Sequence, residues 1–147
     1  MIFYDNRGYL QTIDLKGIYP EFVWEFVTKS SYGVLRGLHY QVEPKAQGKL
    51  IAVLVGRIFD ASVDLQSGEW QGGYLEAGQQ IYIPTGYAHG FQVVSDSALV
   101  LYKCTSEYSP EHERGIIWDD NGLGIDWPIK QPILSERDKR WSAWKKQ

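Results

Sequence analysis

The sequence predicts an all-β protein, an antiparallel sandwich or barrel with one short C-terminal helix. Three observations point there. Aromatic residues make up 14% of the 147-residue chain, with ten Tyr and six Trp, which suits sheets with large, half-buried faces. Short runs rich in Val, Ile, Tyr and Phe recur at regular spacing between turn signals. Helical periodicity is nearly absent before the tail.

The runs predict strands in "FVWEFVT" (22–28), "LIAVLVG" (50–56), "IFDASVDL" (58–65), "QQIYIP" (79–84), "GFQVV" (90–94) and "ALVLYKCT" (98–105), and residues 36–41 are read as a further strand. Turn signals such as "VGR", "QSGE", "PTG" and "VSDS" separate them. "DDNGLGIDWP" (119–128) reads as a loop with an Asn-Gly turn, and "SERDKRWSAWKKQ" as the helix, capped by Ser135. No linker or repeat divides the chain, so a single domain spanning 1–147 is expected. A net charge of −3 and a pI near 5.6 give no global attraction for nucleic acid or an anionic membrane. The lone Cys104 cannot form an intramolecular disulfide, and no segment suits a signal peptide or membrane span, so a cytoplasmic location is expected.

Two stretches carry chemistry. "GQQIYIPTGYAHG" places Gly78, Pro84, Gly86 and His89 at spacings that resemble the second sequence motif of the cupin superfamily of small β-barrels, although Val93 stands where an Asn is usual. "GVLRGLHYQVEPKAQGKLIAVLVG" (33–56) resembles the first motif, with His39 in place. Gln41 replaces the second histidine, and Lys49 occupies the position of the acid. Exchanging a carboxylate for a cation argues against a metal. Taken singly, each basic residue is as well explained by a satisfied core or surface role. Together, His39, Lys49 and His89 pointing into a barrel would cost on the order of several kcal/mol unless an anion offset them. Arg36 and His39 differ in strand parity, so both reach one site only if the backbone bulges, which Gly37 permits.

The wider pattern "SSYGVLRGLHYQ", "QGKL", "FDASVDL", "IPTGYAHGF", "LYKCTSEYSPEHERGIIWDD", "GIDWP" and "PILSERD" closely resembles the dTDP-4-dehydrorhamnose 3,5-epimerase family, in the family's order and over most of the chain. The resemblance implies a cofactor-free cupin enzyme, a homodimer, acting on a nucleotide-linked 4-keto-6-deoxy sugar. It implies His39 as base, Asp138 as its carboxylate partner, Lys49 as the cation beside the C4 oxygen and Tyr102 as proton donor. Arg7, Arg36, Gln41, His89 and Tyr108 fall at ligand-binding positions. Asp60, flanked by apolar residues, is grouped with these substrate-binding residues and expected to pair with Lys49 or His89, and Asp64 to join that network or face solvent.

The chemistry explains the residue types. A 4-keto group acidifies the C–H bonds at C3 and C5, because either carbanion delocalises onto the ketone oxygen. Epimerisation then needs a base on one face, a donor on the other and positive charge near the oxygen. Histidine titrates near neutrality, a carboxylate fixes its tautomer, and arginines fork onto a diphosphate.

The chain departs from the family around the substrate. It starts almost at "DNRG", where the family has a longer N-terminal portion that commonly adds a strand to the dimer. Leu10 and Thr12 stand where an aromatic and a Glu are usual, Trp24 and Phe26 where polar Gln and Asn are usual, and the loop "QSGEW" is short. These exchanges predict retained enolate chemistry with altered specificity, toward one epimerisation or another sugar. The alternatives are a 3,4-ketoisomerase, a catalytically silent sugar-nucleotide-binding cupin and, third, a metal-dependent oxygenase.

Overall fold

The computed structural model describes residues 2–11 and 19–147; Thr12 lies outside them. Eleven strands are described. β1 (Ile2–Asp5) and β2 (Gly8–Gln11) form a separate antiparallel hairpin. β3 (Trp24–Ser31), β5 (Lys49–Val55), β8 (Gln80–Ile83) and β10 (Ser97–Cys104) make a four-stranded sheet in the order β3-β10-β5-β8. β4 (Leu35–Gln41), β6 (Arg57–Asp64), β7 (Trp70–Glu76), β9 (Tyr87–Val93) and β11 (Glu113–Gly115) make a five-stranded sheet in the order β11-β4-β9-β6-β7. All the strand pairings are antiparallel, and the two sheets form the expected cupin-type barrel.

The period of two along the strands divides the apolar residues into two cores. Ile58, Phe91 and Val93 of the five-stranded sheet meet Ile51, Val53, Ile83, Val100 and Cys104 of the other sheet. The alternate residues Phe59, Ala61, Val63 and Ala88 face outward and are covered by Ile116, Leu123 and Trp127 from the chain after β11. Burying each large side chain is worth about 1.5–3 kcal/mol. Trp127 is nearly inaccessible, and its indole N–H donates to the Trp118 carbonyl at 2.8 Å, so its burial strands no donor.

This covering layer positions the site, because it brings the tail back to β4. Ile116 exchanges backbone hydrogen bonds with Leu38, and Val34 bridges Ile133 in parallel. The predicted C-terminal helix is reduced to one 3-10 turn, Asp138–Arg140. Ser135 does accept the Asp138 amide at 3.1 Å, as a cap would, but the backbone is extended at Trp141. Tertiary partners hold the tail instead: the Trp144 amide donates to Asp120, and its indole N–H to the Leu65 carbonyl.

Candidate active site

β4 solves the parity problem where the sequence suggested. Its register with β9 shifts between Arg36 and His39. Gly37 has φ +135°, and a Cβ there would lie 2.6 Å from the Gly90 Cα, so only glycine fits. Arg36 and His39 consequently line the same cavity, of about 670 Å³, between the two sheets. β4 and β9 supply Arg36, His39, Gln41 and His89 on one side; β3, β5 and β10 supply Trp24, Phe26, Thr28, Lys49 and Tyr102 on the other. The tail closes the mouth with Ser135, Arg137 and Asp138.

His39 Nε2–H donates to Asp138 Oδ1 at 2.6 Å. That bond fixes the neutral imidazole with its lone pair on Nδ1, the nitrogen that can accept a proton. Burial pushes the Asp138 carboxyl up, but the hydrogen bond from His39 and the charge that His39 carries when protonated, together with donors from Trp141 and the Gly37 amide, bring it below its ordinary value. A carboxylate held ionised in this way stabilises the imidazolium formed when His39 takes a proton.

Lys49 is only 8% exposed, and Nζ donates to the His39 carbonyl at 3.3 Å. Desolvation by burial lowers its pKa, against weaker opposing effects of Cys104 and Glu113. A partly desolvated ammonium in a cavity wall is suited to receive developing negative charge. Tyr102, opposite Phe26 in the β3–β10 register, stacks on that ring at 4.5 Å and meets the His89 ring edge-on at 6.0 Å. Burial, with Asp60 adding to it, raises its pKa well above the usual phenol value, keeping the hydroxyl protonated as a donor must be. Burial likewise pushes the Cys104 thiol up to about 11, so it is no nucleophile near neutrality.

Asp60 pairs with His89, accepting from Nε2 at 2.6 Å, with both side chains almost inaccessible. His89 lines the cavity while Asp60 lies behind it. Asp64 instead accepts the Gln66 and Ser67 amides and shapes the β6–β7 turn. Gln41 lines the cavity, but its amide is engaged by backbone: it donates to the Lys45 and Glu107 carbonyls and accepts from the Ser109 amide. Arg36 Nε donates to Ser30 at 3.0 Å. Tyr108 lines the cavity and donates to Glu113 at 2.9 Å.

Arg7 is not brought to this cavity within the chain. It sits in the β1–β2 turn, 85% exposed, paired with Asp5. Conversely, sequence reasoning assigned nothing to Glu113 and Arg137, whose ion pair at 2.7 Å joins β11 to the tail beside Tyr108. Both lay in the family-like blocks "EHERG" and "SERD", but no spacing signalled their pairing. Among the described residues, Thr28 Oγ1, on the cavity face of β3, is buried with no hydrogen-bond partner. Among the described residues, no three His, Cys, Asp or Glu side chains converge as a metal site requires. No helix among them is long and apolar enough to cross a membrane.

Known proteins share both sequence and architecture. Residues 1–146 match the model of the dTDP-4-dehydrorhamnose 3,5-epimerase family. The chain is 44% identical over 151 residues to the dTDP-4-dehydrorhamnose 3,5-epimerase of Shigella flexneri, covering 93% of this chain and 83% of that protein. The crystal structure of the Legionella pneumophila dTDP-6-deoxy-D-glucose-3,5-epimerase in complex with dTDP-4-keto-L-rhamnose superposes with a TM-score of 0.90 at 40% identity, over 98% of this chain and 84% of that one. A 3'-monoepimerase from Streptomyces bikiniensis in complex with dTDP-quinovose gives 0.89 at 28% identity, over 98% and 80%. With the fold, the cavity and nearly the whole length in agreement, the chain belongs to the dTDP-4-dehydrorhamnose 3,5-epimerase family.

Proposed function

We propose that the protein epimerises a nucleotide-linked 4-keto-6-deoxyhexose at C3, C5 or both, through an enolate, with His39 as base, Asp138 as its partner, Lys49 as the cation at the C4 oxygen and Tyr102 as donor. One observation carries the reading: the His39–Asp138 pair and Tyr102 face the same cavity from opposite sheets, with Lys49 on the sheet of Tyr102 reaching across to the His39 carbonyl. His39 takes the proton from the carbon next to the ketone, and the electron pair moves onto oxygen beside Lys49. Tyr102 then delivers a proton to the opposite face, inverting the centre. All four functions come from side chains. Arg36, Arg137 and Tyr108 at the mouth suit the diphosphate and nucleoside.

The test is incubation with dTDP-4-keto-6-deoxyglucose in deuterated water. Inversion with deuterium at C3 or C5 supports epimerisation; a ketone moved to C3 indicates a ketoisomerase, and no exchange a binding protein. In Tyr102→Phe, deuterium should still enter recovered substrate through His39, while inverted product falls about 10²- to 10⁴-fold. Undiminished inversion would remove Tyr102 from its role. The apolar wall of Trp24 and Phe26, with Phe26 stacked on the donor itself, favours a narrowed specificity. Equally fast inversion at both carbons, at the rate of an ordinary family member, would exclude that narrowing.

A homodimer in the cytoplasm is proposed with this function. Val27, Leu54 and Val55 of the four-stranded sheet and Ile2, Phe3 and Leu10 of the hairpin are exposed apolar residues, which a second copy would cover. A ligand role for Arg7 is proposed only in such a dimer. Sedimentation should give twice the chain mass; a monomer at micromolar concentration would exclude the arrangement. The single, buried cysteine suits a reducing compartment.

A further inference from the structure

Trp141 lies outside the cavity lining yet touches the centre of the proposed chemistry. Gly115 on β11 is directly opposite His39 in the β11–β4 register. It leaves a slot there, and a Cβ at position 115 would overlap the Trp141 indole. Seated in that slot, the indole meets the His39 ring edge-on at 6.1 Å. Its Nε1–H donates to Asp138 Oδ1 at 3.0 Å, the same oxygen that accepts from His39 at 2.6 Å. The Gly37 amide reaches Oδ2 at 3.3 Å. The bond to Trp141 is what the extended tail gains by leaving the 3-10 turn at this residue.

We propose that Trp141 is a positioning residue of the His39–Asp138 pair: its indole N–H shares the carboxylate oxygen that holds His39, fixing the carboxylate's orientation and moderating its grip on protonated His39. The inference rests on the reading of His39 as base. An oxygen that accepts two hydrogen bonds is a weaker acceptor for each than an oxygen that accepts one. Withdrawing the indole donor therefore tightens the hold of Asp138 on the imidazolium, and His39 stays protonated, and unable to act as base, to higher pH. The other charged and titratable groups around the pair are left in place by such a change. They are Arg36 on β4, Lys49 on β5, the His89–Asp60 pair on β9 and β6, Glu113 with Arg137 on β11 and the tail, and the Tyr40, Tyr102 and Tyr108 phenols. Arg137 also lies over the Trp141 ring at 5.8 Å, which a phenyl ring in the same slot preserves.

Trp141→Phe keeps a ring in the slot and removes the donor, whereas Gly115→Ala displaces the indole. In both, the acid limb of kcat/KM for deuterium exchange should move to higher pH by about half a unit or more, with KM at the plateau little changed. An unmoved limb in folded Trp141→Phe would overturn the proposal, even if kcat fell. The unaltered protein gives a second reading that needs neither variant folding nor turnover. The ¹H–¹⁵N resonance of the Trp141 indole should shift as His39 titrates, and one that stays fixed across that range also overturns the proposal. Absence of exchange with any 4-keto sugar would count against the proposed function, while the indole titration would still decide this inference.

Discussion

Replacing His39 by Asn is expected to lower solvent deuterium incorporation into the sugar about 10³- to 10⁴-fold, the upper part of the range for a positioned general base. Asparagine is close in size, and its amide can still donate to Asp138, so folding should survive. What it lacks is a nitrogen lone pair of suitable basicity. The other cavity histidine is a poor substitute: the His89 side chain is 2% exposed and bound to Asp60, whereas that of His39 is 23% exposed. Asp138→Ala should also be severely impaired, because it frees the imidazole to rotate and leaves the imidazolium unpaired. Joining the two changes should cost little beyond His39→Asn alone, since residues acting as a unit lose their function together. NMR of the sugar in deuterated water measures all three variants. His39→Asn within tenfold of the unaltered enzyme would mean that another group removes the proton.

Much of this pair's setting was legible before the structure, though unevenly. The strands that carry β-branched and aromatic runs formed, with boundaries moved by one to three residues, because those side chains fill half-buried faces wherever the register falls. β7 escaped notice because Gly72 and Gly73 interrupt its pattern, although a Cβ at Gly72 would collide with Asp60 backbone. The bulge at Gly37 could be argued from parity alone. The pairing of His39 with Asp138, 99 residues apart, could not: no local pattern encodes a tail's return path, and the resemblance to a family supplied it. Glu113, Arg137 and Trp141 were missed for the same reason. The helix was overextended because "SERDKRWSAW" has a plausible cap and helix-compatible residues, but an isolated turn of helix is marginal and the indoles found better partners. Gln41 lines the cavity, and its local commitments were equally illegible. A polar residue at a ligand position is committed to holding the loops at 45 and 107–109.

Lys49→Met should separate function from stability. In the proposed role, the ammonium acts on enolate charge that exists only after proton abstraction, so its loss should lower kcat about 10²- to 10³-fold. Stability should move the other way. Lys49 is buried, the hydrogen bond from its ammonium to the His39 carbonyl is a long one, and desolvation has lowered its pKa in the fold. Below that folded value the amine is charged in both states, and the whole cost of burying the charge is present. Between it and the unfolded value near 10.4, the unfolded chain binds one more proton than the folded one, so stability climbs as pH rises. Methionine fills similar volume without the charge and should raise Tm at neutral pH by about 2–4 °C for each kcal/mol recovered. The same substitution should flatten the climb in Tm at alkaline pH. Binding of substrate ought to reverse the ranking, because the 4-keto oxygen gives Lys49 a further acceptor besides the His39 carbonyl. A less stable Lys49→Met would show that the ammonium is already compensated there, and a fully active one that the oxygen's charge is met elsewhere.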